Sequence, residues 1–234
     1  MEAVILAGGL GTRLSSRLTD LPKALAPVSG RPFLAILLDQ LTEQQCRRVI
    51  LSVGHLRQRI FEAIGEEYSG IPIQYAVEET PLGTGGAIRA ALQLVKEENA
   101  LILNGDTFLD ADYNAMMSEH TSSGTELTIA VRYVENMDRY GGVIIEQTHA
   151  TGFIEKGTSG PGWINAGAYA MKRNFIWPAS LPPRFSFEAA FLEKHVAETK
   201  PKVFRCEGYF LDIGIPEDLD RAQIELQNPK HRSN

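Results

Sequence analysis

The stretch VILAGGLGTRLSSRLTDLPK, residues 4–23, decides the reading of the chain. It opens on Val4-Ile5-Leu6-Ala7, an apolar run short enough for a strand buried on both faces. Gly8, Gly9 and Gly11 follow, then Thr12, Arg13, Arg17 and Lys23. Glycines at the end of a buried strand let the backbone turn sharply and let a ligand come close to the main chain. Amide N–H groups in such a turn, beside guanidinium and ammonium groups, make a pocket for phosphate. A turn that only reverses the chain needs one or two glycines and no cations. The stretch therefore reads as a polyphosphate site.

Spacing excludes two commoner phosphate loops. A dinucleotide fingerprint needs G-x-G-x-x-G, and Leu14 stands where the third glycine belongs. A P-loop needs Gly-Lys-Ser/Thr, a triplet found nowhere in the chain. What remains is L-A-G-G-x-G-T-R-L, with Pro22-Lys23 nine residues beyond Arg13 at its proline. This pattern resembles the signature of the sugar nucleotidyltransferases, which join a nucleoside triphosphate to a sugar 1-phosphate and release pyrophosphate. The resemblance runs from residue 1 to about 227. It implies an α/β fold: a Rossmann-like, mixed, mainly parallel central sheet with helices on both faces, of the nucleotide-diphospho-sugar transferase (GT-A-like) type. The P-L-G-T-G-G-A turn, Asn104-Gly105-Asp106-Thr107-Phe108, Asp138-Arg139-Tyr140-Gly141, F-S-F-E and Gly208-Tyr209-Phe210-Leu211-Asp212-Ile213-Gly214 look most like the D-glycero-α-D-manno-heptose 1-phosphate guanylyltransferases. Two departures stand out. Pro22-Lys23-Ala24 replaces a frequent Pro-Lys-Pro, and Ser15-Ser16-Arg17 replaces a frequent aromatic–proline step.

A chain of 234 residues suits one substantial domain or two halves sharing a sheet. We expect a single domain over residues 1–234. Its nucleotide-binding half runs to about 110, its sugar-phosphate half from about 111 to 227, and a polar tail covers 228–234. No apolar run approaches the roughly 18 residues of a membrane span, and the first residues begin a strand without a basic leader, so a cytoplasmic protein is expected. A net charge of −6 argues against a nucleic-acid surface. It also makes the local cations Arg13, Arg17 and Lys23 more informative. Cys46 and Cys206 form no C-x-x-C and read as buried free thiols, and the five histidines show no ligand spacing.

In chain order, Pro32 suits the start of a helix ending near Gln45, residues 49–53 form a buried strand, 55–64 a short helix and 71–77 a third strand. This alternation predicts a parallel sheet with right-handed crossovers. The third strand ends in a second glycine-rich turn, Glu78-Glu79-Thr80-Pro81-Leu82-Gly83-Thr84-Gly85-Gly86-Ala87, at the sheet edge where such folds bind ligands. By resemblance, an acid or amide five residues before Gly83 lies against the base, which points to Glu78. One carboxylate accepts both N1–H and the N2 amino group of guanine, whereas Gln suits uracil or thymine better, so Glu78 indicates GTP. The alternative is that Glu78 is a solvated loop acid, with Glu79 or neither of the two binding the base. Residues 100–104 form a fourth strand delivering Asn104, Gly105 and Asp106. A carboxylate there can reach Mg²⁺, which prefers one or two carboxylates plus phosphate and water. Helix capping is the other role open to Asp106, with Asp110 and Asp112 as competing caps.

The second half is richer in β-branched residues, with strands at 126–133 and 141–145. By resemblance, Tyr140 and Gly141 close on the sugar, Glu155 accepts its hydroxyls, Lys156 holds its phosphate, and Asn165 and Gly167 line its pocket. Taken alone, Glu155-Lys156 is equally a surface pair. Ser186 is a candidate N-cap for a helix to about Glu198 whose F-S-F-E start reads as amphipathic. Residues 203–206 and 208–212 read as a hairpin-like pair ending in Asp212-Ile213-Gly214, which by resemblance carries the second Mg²⁺ ligand, and Pro216 opens the last helix.

The resemblance thus implies a nucleotidyltransferase using Mg²⁺ to join GTP to a sugar 1-phosphate. Arg13, Lys23, Asp106 and Asp212 carry the chemistry. Leu6, Ala7, Gly8, Gly9, Gly11, Thr12, Arg13, Glu78, Pro81, Gly83, Thr84, Asn104 and Gly105 bind the nucleotide. Neither nucleic acid nor membrane is expected as a partner, and a homodimer is possible, since relatives often pair through the second half. Rival expectations are a mannose 1-phosphate guanylyltransferase, a hexose or N-acetylhexosamine 1-phosphate uridylyltransferase, and a silent sugar-nucleotide sensor. The absence of a repeat-rich extension argues against acetyl transfer.

Overall fold

The computed structural model describes residues 1–9, 14, 17, 18 and 20–227. Gly11, Thr12 and Arg13 lie outside the described residues, as does the 228–234 tail. The first half supplies strands β1 (Glu2–Leu6), the short hairpin β2 (Pro27–Val28) and β3 (Arg31–Pro32), β4 (Arg48–Val53), β5 (Glu67–Tyr68), β6 (Ile71–Val77), β7 (Asn99–Asn104) and β8 (Thr107–Leu109). Helices α1 (Phe33–Glu43), α2 (Arg57–Ile64) and α3 (Gly83–Leu92) lie between them. The second half adds α4 (Tyr113–Ser123), β9 (Leu127–Val134), β10 (Gly142–Glu146), β11 (His149–Ile154), β12 (Gly162–Lys172), a π-helical segment Phe187–Leu192 continuing as α5 (Glu193–Thr199), β13 (Lys202–Cys206), β14 (Phe210–Asp212) and α6 (Pro216–Glu225).

Among the described residues, ten strands share one sheet in the order β10-β11-β13-β9-β12-β7-β1-β4-β6-β5. β1 pairs parallel with β4 and β7, and β4 with β6. The second half joins through β12, antiparallel to β7, and its pairings are antiparallel apart from β9–β13. The order of the parallel strands reverses between β1 and β7. A crevice opens at the carboxyl ends of strands at such a reversal.

Period-two alternation explains why these runs are apolar throughout. Ala3 and Ile5 face a core shared with Leu34, Leu37 and Leu41 of α1 and Met116 of α4, whereas Val4 faces one with Ile88 and Leu92 of α3 and Phe187 and Phe191. Burying a side chain of this size contributes about 1.5–3 kcal/mol, so both helical layers are anchored by a few strands. Cys46 and Cys206 are buried free thiols. No helix among the described residues is long and apolar enough to cross a membrane.

Local signals fare well at the helix ends. Asp112 caps α4, accepting from Ala115 N at 2.8 Å, and Ser186 Oγ accepts from Ala189 N at 3.1 Å. Pro216 occupies the first turn of α6, while Pro32 precedes α1. The hairpin expected over 203–212 is not formed. β13 pairs with β9 in the main sheet, and β14 pairs with β8 as a separate two-stranded ribbon. Gly208 permits this divergence, since a Cβ there would lie 1.9 Å from the Asp110 carbonyl oxygen.

Candidate active site

A cleft of about 560 Å³ opens at the β1–β7 reversal. Its floor is the end of β1 (Leu6, Ala7, Gly8, Gly9) and the end of β7 (Asn104, Gly105, Asp106). Ala7 N donates to Ser52 O at 2.8 Å and Gly105 N to Leu6 O at 3.1 Å, so the strand ends stay joined past the sheet. Gly105 is required by this approach. A Cβ there would stand 2.5 Å from the Leu6 carbonyl oxygen. Among the described residues a Cβ on Gly9 would meet nothing within 4 Å, and Gly9 lines the cleft.

Asp106 and Asp212 come together on one cation. Lys23 Nζ donates to Asp106 Oδ2 at 2.6 Å and lies 3.9 Å from Asp212 Oδ1. The β8–β14 ribbon enforces the meeting, with Asp212 opposite Thr107 and Ile213 N donating to Asp106 O at 2.9 Å. Burial and then the Asp106 charge raise the Asp212 carboxyl above the usual carboxylate range, while Lys23, a bond from Gly214 N at 2.6 Å and the Lys156 charge oppose the rise. No group of three or more His, Cys, Asp or Glu among the described residues is arranged for a metal.

Glu78 lines the opposite wall with both oxygens engaged. Ser52 Oγ donates to Oε1 at 3.0 Å and Leu82 N to Oε2 at 3.0 Å. Each carboxylate oxygen keeps acceptor capacity while the two bonds fix the plane of the group. Pro81, Gly83 and Thr84 complete this wall. The glycines of this second turn answer chiefly to protein. A Cβ on Gly83 would lie 2.5 Å from Phe185 O, one on Gly85 2.1 Å from the Phe185 ring, and one on Gly86 2.6 Å from Pro183 O. Close ligand approach is therefore not the reason for three glycines here.

Several expected residues stand away from the cleft lining. Tyr140 packs edge-on against Phe210, with Arg139 beside it bonded to buried Asp218. Gly141 O accepts from Asn165 N at 3.2 Å, and Glu155 is exposed. Asn165 Nδ2 donates to Tyr169 Oη at 2.9 Å and its Oδ1 accepts from Gly167 N at 3.1 Å. These two residues sit one layer behind Asn104, whose amide lies where a Gly167 Cβ would be. Asn104 Oδ1 is buried and, among the described residues, has no hydrogen-bond partner, a polar atom left over at the cleft. Arg17 does not line the cleft and is bonded to Asp220 of α6 at 3.4 Å. Lys156 does line it. Arg184 and Glu188, which sequence reasoning missed as site residues, line it too. Glu188 belongs to the F-S-F-E pattern, which the sequence reading treats as a helix start, and Arg184 lies just before it.

The nucleotidyl transferase family matches residues 2–228. A D-glycero-α-D-manno-heptose 1-phosphate guanylyltransferase of Aneurinibacillus thermoaerophilus is 43% identical over 97% of this chain and 99% of its own length. One of Campylobacter jejuni is 40% identical over 93% of this chain and 96% of its own. Among solved structures, HddC of Yersinia pseudotuberculosis, also known complexed with GMP-PN, is 36% identical, with TM-scores of 0.86 free and 0.85 in the complex over 96% of this chain and 99% of that one. With the match running through nearly every residue from β1 to the end of α6, this chain belongs to the nucleotidyl transferase family.

Proposed function

We propose that this chain is a sugar-1-phosphate guanylyltransferase, joining GTP to D-glycero-α-D-manno-heptose 1-phosphate to give a GDP-sugar and pyrophosphate. The observation that carries the reading is the meeting of Asp106 and Asp212 at Lys23, beneath the open glycine turn. Near full-length likeness to two guanylyltransferases supports it.

Both substrates are polyanions, so positioning and charge neutralisation are the main tasks. Asp106 and Asp212 would hold Mg²⁺, whose liking for one or two carboxylates plus phosphate oxygens fits this pair. When bound, the ion neutralises and orients phosphate oxygens. The sugar-phosphate oxygen is already ionised at neutral pH and attacks the α-phosphorus in line, so no general base is needed. The amides of Gly8, Gly9, Gly11 and Thr12 cradle the β- and γ-phosphates, and Arg13 neutralises the departing pyrophosphate. Lys23 exchanges its carboxylate partners for the α-phosphate and the incoming phosphate, which Lys156 also holds. Glu78, fixed by Ser52 and Leu82, accepts from guanine N1–H and N2–H.

The test is a matrix of the four nucleoside triphosphates against a panel of sugar 1-phosphates, read by pyrophosphate release with Mg²⁺. GTP with the heptose 1-phosphate is expected to turn over fastest. UTP outrunning GTP with every sugar would sink the base assignment. Nucleotide binding with no pyrophosphate release would mark a sensor.

A further inference from the structure

Residues 182–188 form a strap laid across the start of α3. Gly85 N and Gly86 N donate to Phe185 O at 3.0 and 3.4 Å, and Phe185 N donates to Leu82 O at 3.0 Å. Phe187 N donates to Thr84 Oγ1 at 2.8 Å, and Arg89 holds the Pro182 and Pro183 carbonyls at 3.2 and 2.9 Å. The buried Phe185 ring is gripped between Trp177, at 5.3 Å, and the Arg89 guanidinium, at 5.1 Å. This is a rigid support, and it carries Arg184 outward into the cleft wall. Arg184 is exposed and, among the described residues, has neither ion-pair nor hydrogen-bond partner. A guanidinium brought to a cleft on so firm a base, and left unpaired, lacks a structural reason to be there.

Glu188, at the other end of the strap, is held in place differently. Its carboxylate accepts from Thr84 Oγ1 at 3.0 Å and Ser186 Oγ at 3.3 Å, and it is hydrogen-bonded to the Tyr169 hydroxyl, which in turn meets Asn165. The strap sits on the α3 side of the cleft, whereas Lys23 and Lys156 both act on Asp212 across it. Phosphate chemistry belongs to that far side. A donor-only guanidinium at one end of the strap and an acceptor-only carboxylate at the other, both lining the cleft, match neutral hydroxyls, each of which both accepts and donates.

Resting on the guanylyltransferase reading, we propose that this strap selects the sugar. Arg184 donates to, and Glu188 accepts from, hydroxyls at the end of the sugar remote from its phosphate. A seven-carbon sugar carries one more hydroxylated carbon there than a hexose, so discrimination between heptose and hexose 1-phosphates is set on the strap.

The experiment titrates heptose 1-phosphate and mannose 1-phosphate calorimetrically into the wild type, Arg184→Ala, Arg184→Lys and Glu188→Gln, with steady-state kinetics alongside. Arg184→Ala should weaken heptose 1-phosphate binding about tenfold to a hundredfold, as loss of a charged hydrogen bond does. Its KM for GTP should stay within about twofold, and Glu188→Gln should narrow the heptose-to-mannose ratio. Partial rescue by Arg184→Lys is expected, because Lys restores donors without the planar fork. Unchanged sugar affinity in Arg184→Ala, or a loss confined to GTP, overturns the proposal. So does a wild type that binds neither sugar. Sugar binding that falls in Arg184→Ala while the wild type releases no pyrophosphate would uphold the strap and reject the catalytic reading.

Discussion

The two glycine-rich turns at the head of the sheet look alike in sequence and differ in what their glycines meet. At the first, a Cβ on Gly9 would meet none of the described residues within 4 Å, whereas one on Gly8 would stand 2.9 Å from a Glu78 carboxylate oxygen and 3.1 Å from the Gly54 amide nitrogen. At the second, every glycine of the turn is pressed by residues 183–185. At Gly9, though not at Gly8, the first turn leaves room among the described residues for something outside the chain to reach the backbone. The other is bare so that the chain can reach itself. Missing side chains thus mark close approach without saying by what, and only packing tells the two cases apart.

Four substitutions probe that contrast. The largest effect belongs to the acid pair under the open turn. Asp106→Asn should lower turnover by about a thousandfold or more, as removing a charge-stabilising group from a transition state does, with pyrophosphate release as the readout. Next is Gly86→Ala, whose Cβ would stand 2.6 Å from the Pro183 carbonyl oxygen. Overpacking of this kind costs about 1–3 kcal/mol, and calorimetry should show the melting temperature falling by about 2–10 °C. Gly9→Ala should invert the pattern. Its stability should stay within about 0.5 kcal/mol of the parent, while the KM for GTP rises about tenfold as the phosphates lose their approach to the amides. Equal melting losses at the two glycines would erase the distinction. The smallest change is Glu78→Gln, which keeps the shape of the group and should narrow the preference for GTP over UTP severalfold in competing-substrate assays.

Much of this was legible because it is local. Strands 4–7, 49–53, 71–77 and 100–104 announce themselves as apolar runs that end in or run into Gly, Asn or acid, and they appear as β1, β4, β6 and β7 within a residue or two. Two sheet faces, each covered by helices, require that pattern. Asp112 and Ser186 were readable as caps for the same reason. What escaped the sequence was partner choice at long range. Residues 203–206 and 210–212 have the composition of a hairpin around Glu207-Gly208-Tyr209, and nothing local reveals that they join β9 and β8 instead. Arg184 and Glu188 escaped on similar grounds. Their place depends on a strap fitting glycines a hundred residues earlier, and the glycines had been given another purpose. Asn165 and Gly167, expected by resemblance to line a sugar pocket, lie on β12 one layer behind the cleft wall.

The small ribbon between β8 and β14 bears on how the protein comes into being. It brings Asp212 beside Asp106, across roughly a hundred residues of intervening chain. Contacts so distant in sequence close late, after local elements have formed. A chain still emerging from the ribosome can carry the parallel strands while lacking half of that acid pair. Under the function proposed above, turnover would then wait for the carboxyl-terminal stretch to fold back.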